Sequence, residues 1–446
     1  MQSVDKNIQW YQSRFEAFEQ SLNGEKSTAV HTLRRDAIRR FTQNGFPTTR
    51  QEEWRFTNIS PITKIEFQPI LHYELHGITR DDIQKYILDG AVHAVFVNGM
   101  FSSELSDIGT LPQGVVVGSL AEALKKNPEN VQQYIARLVK GEESAFTALN
   151  TAFVQDGGFI SIPKDVIIDQ PIQLLFIASD DDRPFTAQPR NLIVVEAKSQ
   201  CKIIETYAGL DQNTYLTNTV TEIVLEENSH LEHDKLQIEN MNSFHIGMTQ
   251  LQMNTASHYL SNVISLGGSL VRNNITVVLD AEGSECTLNG LTLSTGTQVI
   301  DNHTAIDHAK PHCNSHELYK AILDGESKGV FNGKIFVRKD AQKTDAKQTN
   351  KTLLLSDGAT INAKPQLEIF ADDVKCTHGA TIGQLDDEQL FYLRSRGIDL
   401  AAARDILTFA FAGDVINRIT VEPLRQQAER MIHARLDFRQ TGIIEE

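Results

Sequence analysis

The middle of the chain, from about Phe153 to Thr377, constrains the fold more than any other part of the sequence. Short stretches rich in Val, Ile, Thr and Leu alternate there with polar residues, and helical periodicity is nearly absent for more than two hundred residues. This pattern is typical of strands. The block holds more strand than one ordinary β-sandwich of about 100 residues uses, so a larger β architecture is predicted.

A small-residue turn recurs within this block at nearly constant intervals. It occurs in EAKSQCKII, EENSHLEHD, NTASHYLSN and AEGSECTLN, whose serines Ser199, Ser229, Ser257 and Ser284 are separated by 30, 28 and 27 residues. Repeats of this length indicate a solenoid, because each coil buries its apolar face only by stacking on its neighbours. The two ends of a β-solenoid are exposed sheet edges, so folded regions are expected to cover them.

The region before the block mixes helix and strand signals. Apolar residues recur at three- and four-residue steps from Gln9 to about Asn44 and predict helix. HAVFVNGMFSSEL predicts a hairpin that turns at Asn98-Gly99. Two further helices are expected at 119–126 and 128–139. We therefore predict a mixed α/β domain over residues 1–150.

The region after the block is helical. A first helix is predicted from near Asp386 to Gly397, a second is capped by Asp399, and Pro423 opens a third that runs through Leu436. In the second helix the apolar residues Leu400, Ala403, Ile406, Leu407, Ala410 and Phe411 are expected on one face. The predicted fold is mainly β, with a solenoid core at 151–383 and a helical domain at 384–446.

Composition excludes several classes of partner. A formal net charge of −16 and a pI near 5.4 argue against nucleic acid or an anionic membrane surface. The longest apolar runs fall short of the roughly 18 residues of a membrane span, and the start has no signal or transit pattern. The four cysteines lie far apart and form no C-x-x-C pair, so neither a disulfide framework nor a zinc knuckle is indicated. We expect a cytoplasmic protein.

Two motifs imitate ligand sites. GVFNGKI, residues 329–335, has one residue too few between its glycines for a phosphate loop, and Ile where Ser or Thr is required. DNHTAIDHAKPHCNSHELYK gathers five metal-type side chains, His303, His308, His312, Cys313 and His316. In a strand His312 and His316 share one face while Cys313 points to the other, which makes a closed tetrahedral site awkward. Whether this cluster binds a metal stays open.

A more compact candidate site lies in DDVKCTHGATIGQLDDEQLFYLRSRGI, residues 372–398, where Cys376 and His378 are two residues apart. In an extended segment both side chains face the same side. They could bind one iron or pass a sulfur atom between neighbouring thiols. Spacing alone is equally compatible with ordinary packing, and a half-site of two ligands could be completed by another chain.

Four long stretches carry a family resemblance: PTTRQEEWRFTNISP near the start, DGGFISIPKDVIIDQPIQLLF entering the strand block, residues 327–398 late in it, and the closing helices. On these the chain resembles the SufB/SufD family of the bacterial SUF iron–sulfur cluster assembly complex, over nearly its whole length. The resemblance implies a right-handed parallel β-helix flanked by an N-terminal domain and a C-terminal helical domain. Where the SufB branch reads His-Glu-Ala, this chain reads His378-Gly379-Ala380, which favours the SufD branch.

The resemblance also implies a function and partners. It implies a non-catalytic subunit that pairs with SufB through the β-helix and with the ATPase SufC through the C-terminal helices, supporting iron acquisition and de novo cluster assembly. It implies that His378 and Cys376 are cluster or iron ligands at the SufB interface, with His378 a transient iron ligand. No cofactor is expected to stay on the isolated chain, the iron–sulfur cluster being transient at the SufB–SufD interface. Self-pairing of the isolated chain through the same face stays open.

Two other functions remain open from the residues. One is a β-helix enzyme that acts on polysaccharide, which would need two carboxylates about 5 to 9.5 Å apart in a groove. The other is a purely structural subunit in which His378 only packs.

Overall fold

The computed structural model describes residues 2–22, 28–75, 77–139, 144–179 and 183–441. It is mainly β, with 41% strand and 25% helix, and its centre is a β-solenoid of about eight turns. No helix among these residues is long and apolar enough to cross a membrane. The predicted fold class is confirmed.

The N-terminal part alternates helices with short strands. Its elements are α1 (Gln2–Ser21), α2 (Ala29–Asn44), α3 (Ser60–Thr63), β1 (Gln68–Pro69), α4 (Arg80–Ile83), β2 (Val92–Val97), β3 (Met100–Asp107), β4 (Val116–Ser119), α5 (Leu120–Lys126), α6 (Pro128–Gln132) and α7 (Ala145–Ala152). The helical pattern over 9–44 thus corresponds to two helices, and the helix expected at 128–139 ends early, at Gln132. Asn98 and Gly99 have φ of 51° and 88° between β2 and β3, as the predicted hairpin turn requires.

The solenoid is formed by long strands that alternate between two sheets. They are β5 (Gly158–Ile162), β6 (Ile172–Ala178), β7 (Phe185–Ala187), β8 (Arg190–Val195), β9 (Gln200–Gly209), β10 (Tyr215–Leu225), β11 (His230–Ile238), β12 (Phe244–Met253), β13 (His258–Ser265), β14 (Leu270–Leu279), β15 (Glu285–Ser294), β16 (Val299–His308), β17 (Asn314–Leu323), β18 (Lys328–Val337), β19 (Asp345–Leu354), β20 (Thr360–Ile369) and β21 (Lys375–Gly383). From β8 onward, even-numbered strands form one sheet and odd-numbered strands the other, with parallel pairing from coil to coil.

The recurring serine turn sets the register of this stack. The four serines are buried, and each hydroxyl donates a hydrogen bond to the carbonyl three residues earlier. The residue before each serine has a positive φ of 51° to 74°. The residues that follow them, Gln200, His230, His258 and Glu285, are aligned as partners in successive strands. The repeat predicted from sequence is therefore the coil repeat of the structure.

Helices cover the outer faces of both sheets. α1, α2 and α7 form an aromatic core with Phe46 and Trp54 against the even-numbered sheet, at Leu216, Phe244 and Leu270. The C-terminal helices are α8 (Asp387–Ser395), α9 (Leu400–Ile416) and α10 (Glu422–Thr441). α9 and α10 pack on outward-facing leucines and isoleucines of the odd-numbered sheet. Asp399 caps α9 as predicted, and Asp386, near which the first helix was expected to begin, caps α8.

The two ends of the solenoid differ. At the N-terminal end β2 pairs with β6 and β4 with β5, so strands from before residue 150 extend both sheets. At the C-terminal end β20 and β21 are the last strands, each paired on one side only among the described residues. α9 and α10 pack on the outer face of the odd-numbered sheet, so they do not cover this end of the solenoid. The expectation that both ends are covered holds only at the N-terminal end.

Candidate functional site

Cys376 and His378 lie on β21, the last strand of the odd-numbered sheet. Their partners on β19 are Ala346 and Gln348, both buried. Cys376 packs against a buried cluster that includes Ile335 and Val337 of the opposite sheet, so this side of the strand faces the solenoid interior. Since paired residues of parallel strands point the same way, Cys376 and His378 both face the open end of the lumen.

The last coil exposes these side chains although they point inward. His378 is exposed and has no hydrogen-bond or ion-pair partner among the described residues. Cys376 is half-buried, and burial together with the Asp345 carboxylate raises the pKa of its thiol. An imidazole that is free of partners is available to a metal, whereas this thiol deprotonates less readily and needs a cation to stabilise its thiolate.

The backbone around the site is also open. One edge of β20 and one edge of β21 have no strand beside them in the described part of the chain. Their N–H and C=O groups are therefore available to a strand from another chain. Large apolar side chains accompany them, with Ile369 40%, Phe370 58% and Ile382 53% exposed. An apolar sheet edge of this kind is suited to a protein interface.

The histidine-rich stretch is dispersed by the fold. His303 lies on β16, where burial would lower its pKa, but Asp301 (Nε2–Oδ1 3.0 Å) and Glu53 (Nδ1–Oε2 3.3 Å) hold the pKa above its usual value. His308 is buried beside Ser315, and burial lowers its pKa to about 4.

The remaining members of that stretch point elsewhere. His312 lies in a turn with a φ of 59°, not in a strand as the alternation argument assumed, because β17 begins only at Asn314. Cys313 is buried and His316 is exposed on β17. Among the described residues no three His, Cys, Asp or Glu side chains are grouped so that they could hold a metal. GVFNGKI forms part of strand β18, paired on both sides, and is no loop.

The two-residue spacing of Cys376 and His378 does not show which residues surround His378 in the fold. Gln348 lies directly beneath it in the stack, 30 residues earlier in the chain. Ile382, which faces the same side, was likewise not singled out. Both residues could have been found by continuing the coil repeat beyond Ser284. The next turns precede Asn314, Asp345 and Lys375, and these three residues are aligned with one another in successive strands.

Comparisons of the sequence with known proteins identify a family. Residues 176–411 match the family model described as "SUF system FeS cluster assembly, SufBD core domain", and residues 5–174 match "SufBD protein N-terminal region". An iron–sulfur cluster assembly SufBD family protein of Synechocystis is 34% identical, with 93% of both chains covered. The iron–sulfur cluster assembly proteins SufD of Escherichia coli and Bacillus subtilis are 32% and 25% identical, over 90% and 87% of this chain and 91% and 89% of theirs.

Proposed function

The chain belongs to the SufB/SufD family of SUF-system iron–sulfur cluster assembly proteins, and from this premise we propose that it is the SufD-type, non-catalytic subunit of a cluster assembly scaffold. It pairs with a SufB-type chain through the solenoid and with the ATPase SufC through its C-terminal helices. The observation that carries this proposal is the exposed, unpartnered His378 on an open strand edge. Family membership favours this function over polysaccharide cleavage.

The chemistry of His378 suits a transient ligand. A neutral imidazole binds iron through one nitrogen, and the thiolates of a partner chain would supply the remaining ligands. Such an unequal ligand set holds iron and sulfide less firmly than four thiolates of one chain, which suits a scaffold that must release its cargo. Cys376 is the neighbouring thiol and the second candidate ligand.

The open edge supports the pairing. A SufB-type paralogue with the same solenoid would offer a similar edge, and a pseudo-twofold arrangement would place the terminal strands of the two chains side by side. Pairing would satisfy the free backbone groups of β20 and β21 and cover Phe370 and Ile382. The open ends of the two lumens would then face each other at the interface, with His378 between the two chains.

The C-terminal helices have an apolar surface for the ATPase. In α9 the buried residues are Ala403, Thr408, Ala412, Val415 and Ile416. The apolar face predicted from sequence includes Leu400 and Ile406, which are 45% and 47% exposed. α9 is apolar on most sides, so periodicity could not select the buried one. The exposed apolar side is available to a partner, and we assign it to SufC.

Replacing Ile406 with aspartate is expected to reduce co-purification of the SufC-type ATPase at least tenfold while the SufB-type chain stays bound. The reason is that a carboxylate would be desolvated in an apolar contact without a counter-charge. Quantitative pull-down from co-expressing cells measures this. The control is Val116→Asp, an equally exposed apolar position on β4. Equal loss in both variants, or none in Ile406→Asp, would contradict the docking assignment.

Replacing Cys376 with alanine is expected to lower cluster assembly less than replacing His378. Burial and Asp345 keep the thiol protonated, so it is the poorer iron ligand of the two. Iron and sulfide bound per complex, counted under anaerobic conditions for both variants, give the ranking. A loss from Cys376→Ala that equals or exceeds that from His378→Ala would reverse it.

The proposal as a whole is tested by co-purification. A tagged chain, expressed with SufB-type and SufC-type chains, is expected to yield a complex with one copy of each solenoid chain and two of the ATPase. Mass measurement of the purified complex gives this stoichiometry. Recovery of the chain alone, with both partners folded in the same extract, would contradict the proposal.

A further inference from the structure

A column of polar side chains runs inward from His378 and ends after two coils. His378 is aligned with Gln348 on β19, and Gln348 with Glu317 on β17. The next residue inward is Leu288, which belongs to the apolar core. With strands about 4.8 Å apart, Glu317 lies roughly 10 Å below the open end. The column therefore connects an exposed imidazole to a buried carboxylate.

Most carboxylates buried in the solenoid have a cationic partner, and of the two that have no ion pair among the described residues, Asp234 lies on β11, five strands from β21, and Glu317 lies on β17, two strands from it. Glu205 is paired with His233 at 3.0 Å, and Glu239 with His245 at 2.7 Å. Glu317 is 4% exposed and has no cationic partner among the described residues. Burial raises its pKa to about 7, although the hydrogen bond that Gln348 donates favours the charged form. A buried acidic side chain without a counter-charge lowers the free energy of unfolding.

In the described part of the chain, no other group near Glu317 compensates its charge. The titratable side chains that face it are Cys286 on β15 and Tyr319 on its own strand, and burial raises the pKa of both, so both are neutral near pH 7. β16 presents Thr304 and His308, which bonds Ser315 and whose pKa burial lowers to about 4, and β18 presents Phe331, so none of them carries a charge near pH 7. A positive charge that balances Glu317 must therefore come from the open end.

The layer between His378 and Glu317 is polar and partly unsatisfied. Gln348 Nε2 donates to Glu317 Oε2 at 2.6 Å, while Gln348 Oε1, Asn350 Oδ1 and Thr352 Oγ1 are buried and have no hydrogen-bond partner among the residues that the structure describes. Gln348 reaches this position because Gly333 lies opposite, where an added Cβ would come within 2.3 Å of Gln348 Nε2. These free acceptor oxygens lie on β19, directly beneath the terminal strand β21, and they favour the binding of a hydrated cation above them.

We infer that Glu317 is the buried counter-charge of a hydrated divalent cation captured by His378 at the mouth of the lumen, with Gln348 linking the two. This inference rests on the proposed function, in which the cation is the Fe²⁺ to be assembled. Binding replaces the proton of Glu317 by the cation: Fe²⁺ enters, the carboxylic acid becomes a carboxylate, and one proton leaves to water. No electron is transferred in this step.

The direction of the pH dependence follows. Below pH 7 Glu317 is mostly protonated and offers no counter-charge, whereas above pH 7 it is ionised and attracts the cation. The affinity for Fe²⁺ is therefore expected to rise through this window by about tenfold between pH 6 and pH 8. Glu317→Gln keeps the shape and the hydrogen-bonding capacity but removes the titration.

The test is an anaerobic calorimetric titration of the full chain with Fe²⁺ alone at pH 6 and pH 8, in two buffers of different ionisation enthalpy. Relative to wild type, Glu317→Gln is expected to bind about tenfold more weakly at pH 8, to lose this part of the pH dependence and to release fewer protons. The matched control is Glu285→Gln, an exposed carboxylate on β15. An infrared difference spectrum of wild type gives a second readout that needs no variant, since the protonated carboxyl band should disappear when Fe²⁺ is added.

The outcomes separate this inference from the proposed function. If His378→Ala abolishes binding while Glu317→Gln equals wild type at both pH values, His378 keeps its role and the counter-charge is overturned. If His378→Ala binds normally, the ligand role in the proposed function fails. No measurable Fe²⁺ binding by the wild-type chain at pH 8, or no change in the carboxyl band, also overturns the inference.

Discussion

Replacing His378 with alanine is expected to leave the chain folded and the complex assembled, but to abolish most cluster assembly. The side chain is exposed and has no partner among the described residues, so its removal should change the free energy of unfolding by less than about 0.5 kcal/mol. Loss of a ligand that no neighbouring residue replaces should lower assembly at least tenfold. Growth of cells that lack other cluster assembly routes, with the variant as sole copy, measures this.

The matched control for His378 is His316→Ala, a change to an exposed histidine on the neighbouring part of the same sheet. It should support normal growth, because His316 lies on β17, two strands from the edge. Normal growth with His378→Ala would contradict a ligand role and leave a purely structural subunit as the better description.

Replacing Ile382 with lysine is expected to prevent pairing with the SufB-type chain. Ile382 is exposed on the edge strand and faces the open lumen, so pairing would bury it. A lysine there would lose its hydration without gaining a partner, at a penalty of several kcal/mol. Lysine on an edge strand also opposes the addition of another strand. Sedimentation of the purified chains is expected to show at least a hundredfold weaker association.

The control for Ile382 is Ile167→Lys. Ile167 is 61% exposed and is bridged to Gln200 of β9, the strand that lies six places from β21 in its sheet. This variant should pair normally and differ from wild type only in charge. Association of Ile382→Lys at wild-type strength would place the interface elsewhere on the molecule.

Much of the fold was predictable because its determinants are local and repeated. The serine turns at Ser199, Ser229, Ser257 and Ser284 mark each coil, and their spacing reveals the stack without any long-range information. Caps such as Asp386 and Asp399 act within one helical turn, so they too can be read directly.

Features that depend on long-range packing were not predictable. α9 is apolar around most of its circumference, so its buried side is chosen by its fit to the sheet, and the sequence alone does not show that Ile406 stays exposed. The uncovered C-terminal end has the same origin. Helices that follow the strand block could equally have covered the open end of the lumen. They lie on the outer face of the odd-numbered sheet instead, because their apolar residues pack against Ile322 and Leu353 there.

The candidate site was predictable in part. The two-residue period of a strand predicts that Cys376 and His378 lie on the same side of it. That this side faces the solenoid interior is known only from the pairing of His378 with the buried Gln348. Glu317 is 31 residues before Gln348, whereas earlier serine turns are 27 to 30 residues apart. Because the coil length varies by several residues, the sequence alone could not align Glu317 with His378.

The most direct test of the shared cluster site is to count iron and sulfide on the anaerobically purified complex, comparing wild type with His378→Ala at equal subunit stoichiometry. A cluster that depends on this imidazole predicts iron and sulfide in the wild-type complex and a loss of most of both in the variant. Equal iron and sulfide in the two complexes would contradict the account.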